Sequence, residues 1–99
     1  EMILVEGELN AIALHQAGYK NAVGISGRNL SEQQEGLIKK YCSIVTFIFD
    51  ETRDTMNAAR SLENSVVVRV VPQHEKDPAD MNKDEIDSLL DARRSSILL

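Results

Sequence analysis

Four short apolar runs, spaced along the chain with a helix-like segment after each, limit what this sequence can fold into. They are Met2 to Val5 (MILV), Asn21 to Ser26 (NAVGIS), Ser43 to Phe49 (SIVTFIF) and Ser65 to Val71 (SVVVRVV). Each is too brief for a buried helix and is bounded by glycine, polar residues or proline, so each reads as a strand. They are apolar throughout rather than alternating, which implies a sheet covered on both faces and strands that run parallel. The expected fold is therefore an α/β sandwich with element order β-α-β-α-β-α-β-α and a four-stranded parallel sheet.

The segments between the runs carry helix signals. Leu9, Ile12 and Ala13 share one helical face, with Gly18 as a stop. Ser31 with Gln34 three residues on is a capping box, opening a helix expected to turn Leu37, Ile38 and Tyr41 inward. Asp54 or Thr55 can cap a third helix, on which Met56, Ala59 and Leu62 share a face. Asn82 caps a fourth with Ile86, Leu89 and Leu90, and Met81 is placed to staple against Ile86. There are no repeats or internal linkers, so residues 1–99 form one domain.

With 42% hydrophobic and 27% charged residues, the chain has the composition of a soluble globular domain. No apolar run is long enough to span a membrane, and no signal peptide is visible, so no membrane partner is expected. Cys42 is the only cysteine, which rules out an internal disulfide and fits a reducing, cytoplasmic setting. The net charge of −5 argues against a simple cationic clamp on nucleic acid. It is compatible with a site that works through bound divalent cations, because such ions invert the local field.

In an open parallel sheet, ligands gather beyond the carboxyl ends of the strands, where the strand order reverses. Glu6 follows the first strand at that end, Asp50 the third, and the segment His74 to Asp80 the fourth. With strand order 2-1-3-4, Glu6 and Asp50 would lie on neighbouring strands, about 5 Å apart laterally. Two carboxylates so close require a proton or a cation between them, and oxygen donors suit Mg²⁺ or Mn²⁺. For any single acid, a helix cap or a solvated loop is the commoner role, and Asp54 fits a cap. Arg28, in the loop after the second strand, and Lys76 are candidates for contact with nucleic acid. His15 reads as a surface or packing residue, and His74 has no second histidine close in sequence to make a transition-metal pair.

The stretch VEGELNAIALHQAGYKNAV, the LSEQQ helix start, the acidic end of FIFD, the helix Asn57-Ala58-Ala59, the strand VVVRVV and KDPADM at Lys76 to Met81 follow one another in order. Together they resemble the TOPRIM domain of bacterial and phage-type DNA primases over essentially the whole chain. The resemblance implies a Rossmann-like TOPRIM fold with sheet order 2-1-3-4 and helices on both faces. It also implies Mg²⁺-dependent (or Mn²⁺-dependent) nucleotidyl transfer in DNA replication. The expected partners are a single-stranded DNA template, nucleotides, other primase domains and replication proteins, with this chain part of, or related to, a larger primase. Carried across, Glu6 and Asp50 would be the catalytic metal ligands, joined by Asp77 and by Asp80, one place beyond Ala79. The family pattern D-G-D-x-A-G is here D-E-T-R-D-T: Thr52 stands in for the second aspartate, Glu51 and Thr55 for glycines. Asn10 replaces an aspartate, and Glu8 is an additional acid. A threonine hydroxyl is a weaker, neutral ligand, so Glu51 or Asp54 would have to restore the charge. The alternative is a nucleic-acid- or protein-binding module with a degenerate metal site. A phosphoacceptor receiver domain also places an aspartate after its third strand. It needs five strands and an acidic pair after the first, and the lysine it needs after a fifth strand has no strand in this reading to carry it.

Overall fold

The computed structural model describes residues 1–27, 29–49, 52–72 and 74–95. Four parallel strands form its centre: β1 (Met2–Val5), β2 (Ala22–Gly24), β3 (Ile44–Ile48) and β4 (Val67–Val70). Their order is β2-β1-β3-β4, as the resemblance implies, and β1 lies between β2 and β3. A fifth strand, β5 (Arg94–Ser95), pairs antiparallel with β4 and extends the sheet beyond the four expected strands. It went unread because its sequence is polar and two residues long, so it carries no apolar signal.

The strands alternate their side chains between two cores, as the period of a strand requires. On one face Leu4, Val45, Phe47 and Val68 pack with Ile38 of α2 (Glu32–Tyr41) and with Ala58, Ala59 and Leu62 of α3 (Thr52–Leu62). On the other, Ile3, Val5 and Ile48 pack with Leu14 of α1 (Glu8–Gln16) and with Ile86, Leu89 and Leu90 of α4 (Lys83–Asp91). Helices therefore cover both faces. Among the described residues no helix is long and apolar enough to cross a membrane.

Three helix faces differ from expectation. In α1, Leu14 is buried while Leu9 and Ile12 are 72% and 52% exposed. Apolar residues surround this helix (Leu9, Ala11, Ile12, Ala13, Leu14), so spacing alone selects no face, and the smaller alanines lie closer to the sheet. In α2 only Ile38 is buried, between the half-buried Gln34 and Cys42, while Leu37 and Tyr41 face solvent. α3 begins at Thr52, so Asp54 and Thr55 are first-turn residues rather than caps, and both are buried. The other helix signals hold. Ser31 and Asn82 each close a complete capping box, with Gln34 and Glu85 respectively. Met81 packs against the cluster that contains Ile86. Gly18, at φ 103°, follows the end of α1 in the conformation that glycine alone adopts without strain.

Candidate metal and nucleic-acid site

The pairing of β1 fixes where Glu6 stands. Val5 is in register with Gly24 on β2 and with Ile48 on β3, so Glu6 leaves the middle of the sheet at its carboxyl edge. Gly7 then precedes α1 in an extended conformation and, having no side chain, leaves the helix N-terminus without a side-chain cap. The loop is pressed against β2: a Cβ at Gly24 would lie 3.2 Å from the Gly7 carbonyl oxygen, so a larger residue there would push the loop back by a few tenths of an ångström. Beyond β2, Ser26 adopts φ 59°, an uncommon left-handed conformation for a residue other than glycine, and it faces the same space.

That space is an open cleft of about 680 Å³ whose lining includes Glu6, Glu8, Asn10, Ser26, Asp77 and Asp80. The last two come from a single 3₁₀ turn, Pro78–Asp80, preceded by Asp77. Pro78 is buried and presets the backbone at the first position of the turn. The Asp80 amide donates to the Asp77 carbonyl at 2.8 Å, and the Ala79 amide donates to Asn10 Oδ1 at 3.0 Å. The fold thus brings Glu6, Asp77 and Asp80 to one cleft, although 71 residues separate Glu6 from Asp77 in the sequence.

Lys76 is directed elsewhere. Its ammonium lies 3.0 Å from Glu85 Oε2 in an exposed ion pair. The Lys76 hydrogen bond, and secondarily the Asn82 backbone amide, hold the Glu85 carboxyl below its usual range. Asp54 is 9% exposed, and its Oδ2 has no hydrogen-bond partner among the described residues. Such a buried acceptor is costly unless a proton or cation satisfies it. His74 Nδ1 lies 3.1 Å from the Pro72 carbonyl, and His15 Nε2 lies 2.7 Å from the Ala22 carbonyl, so both rings have structural contacts. Asp50, Glu51 and Arg28 lie outside the described residues.

The donors that line the cleft are oxygen atoms, which fit a hard divalent cation better than a transition metal. Among the described residues, no three His, Cys, Asp or Glu side chains stand together closely enough to hold one ion. The cleft therefore offers donors of the right chemistry, while a complete shell needs a further ligand or water. Sequence reasoning noted Asn10 only as a substitution and passed over Ser26. The bond from Asn10 to a turn 69 residues away has no local sequence signal.

Comparison with known proteins agrees with this fold. The sequence matches the Toprim-like family over residues 3–84. The DNA primase of Campylobacter jejuni is 38% identical over 87 residues, a match covering 82% of this chain and 14% of that protein. The fold superposes on the Aquifex aeolicus primase (zinc-binding and RNA polymerase domains) with a TM-score of 0.79 and 25% identity, covering 94% of this chain and 26% of that one. A primase catalytic domain bound to single-stranded DNA shares the fold at a TM-score of 0.71 and 19% identity, covering 95% of this chain and 34% of that one. The chain thus spans about a seventh of the Campylobacter protein it matches. It belongs to the Toprim-like family, as a TOPRIM domain of the bacterial DNA primase type.

Proposed function

We propose that this chain is the divalent-metal-binding, nucleotidyl-transferring domain of a DNA primase-like protein that acts in DNA replication. The observation that carries this reading is the convergence of Glu6, Asp77 and Asp80 on one open cleft at the carboxyl edge of the sheet. Those carboxylates would hold Mg²⁺ or Mn²⁺, together with Asp50, which follows the third apolar run in the sequence. Asp54, with its unpartnered buried oxygen, and Glu51 are the acids available to make up for Thr52. When bound, the metal neutralises phosphate charge and lowers the cost of an attacking hydroxylate.

The protein's own contribution is positioning. β1 sets Glu6 at the carboxyl edge of the sheet, and the Pro78 turn brings Asp77 and Asp80 to the same cleft. The uncapped N-terminus of α1 adds backbone N–H groups where a phosphate could lie. Arg28 and Lys76 would contact the nucleic-acid backbone. Lys76 would first leave Glu85, and the exposure of that ion pair makes the exchange easy. A single-stranded template and nucleotides are the proposed substrates, in keeping with the related fold that binds single-stranded DNA. Other primase domains and replication proteins are the proposed partners, since the chain covers only 14% of the Campylobacter primase.

Titration calorimetry with Mn²⁺ tests this reading. The parent chain is expected to give a binding heat that is lost in both Glu6→Gln and Asp50→Asn. A second reading, a binding module without catalysis, is favoured by the D-E-T-R-D sequence and by the lack of a three-donor group among the described residues. No heat in the parent chain would support that second reading.

A further inference from the structure

We infer that Asn10 is an uncharged positioning residue that takes over the capping of the Asp77–Asp80 turn, leaving the Asp77 carboxylate to the cleft. This inference rests on the metal-binding reading above. An aspartate that precedes a helical turn ordinarily turns its own side chain back onto the N–H groups of that turn. Asp77 occupies that position, with φ −69° and ψ 150°, yet its side chain makes no capping hydrogen bond. The donors of the turn are satisfied in other ways. Pro78 has no N–H, the Asp80 amide bonds the Asp77 carbonyl at 2.8 Å, and the Ala79 amide bonds Asn10 Oδ1 at 3.0 Å. The side chain that does the capping comes from the first turn of α1, four residues after Glu6.

The chemistry of Asn10 suits this role. Its amide oxygen accepts the Ala79 N–H as a carboxylate would, but without a further negative charge in a cleft that already holds Glu6, Glu8, Asp77 and Asp80. One hydrogen bond thereby ties the loop after β1 to the turn that carries two of the candidate ligands. It fixes the separation between Glu6 and Asp77 without occupying either carboxylate.

The experiment compares the parent chain with Asn10→Ala and Asn10→Asp by amide hydrogen exchange without metal and by Mn²⁺ titration. In Asn10→Ala, the Ala79 amide is expected to exchange about fivefold faster, the loss of one net hydrogen bond. Its Mn²⁺ affinity is expected to fall about tenfold, because the turn no longer holds its carboxylates in place. Asn10→Asp keeps the acceptor and adds a charge, so Ala79 should stay protected and Mn²⁺ should bind at least as tightly as in the parent. Unchanged exchange at Ala79 in Asn10→Ala overturns the latch. Faster exchange with unaltered Mn²⁺ affinity overturns the positioning role and leaves Asn10 as a staple of the fold. A parent chain that binds no Mn²⁺ overturns the metal reading and the positioning role together, while exchange at Ala79 still decides separately whether the latch exists.

Discussion

Tyr19, in the turn after α1, donates its hydroxyl to Asp87 Oδ1 at 2.6 Å and so ties that turn to α4, where Asp87 also takes a 2.7 Å bond from Lys83. The bond to Asp87, followed by burial and the negative charges of Asp87 and Asp91, pushes the Tyr19 pKa from 10.0 up to about 12. A group raised in the folded state contributes stability that is complete below its unfolded pKa and disappears as pH passes its folded pKa. The Tyr19 contribution is therefore full below pH 10.0 and lost on approaching about pH 12. Urea denaturation should show the parent more stable than Tyr19→Phe at pH 8, with the gap closing between pH 10 and 12. A gap that persists at pH 12 would assign the effect to packing instead. At this scale the sequence is legible where a residue's role is local. Glu6 could be placed from the strand it follows, whereas the Tyr19–Asp87 and Asn10–Ala79 contacts join residues about 70 apart and have no local pattern to betray them.

The helices divide along similar lines. Capping is a matter of a few consecutive residues, and the Ser31 and Asn82 boxes were readable because side chain and backbone meet within one turn. The buried face of α1 was not, because the sheet selects it and the helix carries apolar residues all round. Thermal or urea melts can check the observed face. Leu9→Lys and Ile12→Lys should each change stability by no more than about 0.5 kcal/mol, as exposed positions do. Leu14→Ala should cost about 2–5 kcal/mol, because its side chain is fully buried against the sheet. The reverse ranking would restore the face first expected from spacing. α3 shows a different limit: a helix that starts at Thr52 makes first-turn residues of the two residues that looked like caps, and buries Asp54 where a helix cap was expected.

For the molecule as a whole, the parallel sheet and its two covered faces followed from four apolar runs, strand order came from the family resemblance, and β5 added only a short polar edge. The candidate site was legible as an edge of the sheet but not as a closed set of ligands, because three of its named residues lie outside the described part. The net charge of −5 works against bulk electrostatic attraction to DNA, and among the described residues the cleft lining carries no basic side chain. We expect the 99-residue chain, given Mg²⁺, a single-stranded template and nucleotides, to make no primers. Robust primer synthesis would overturn that expectation. The ion pair between Glu1 and Arg93, 3.3 Å apart, with the Thr46 hydroxyl donating to the same Glu1 oxygen, ties the start of β1 to the residue before β5. It sets the beginning of β1 beside the chain just before β5, and β5 then runs back from Val70 towards Arg69, away from the carboxyl edge of the sheet. Within the described residues, β1 thus starts at, and β5 points towards, the edge of the sheet opposite the acidic cleft.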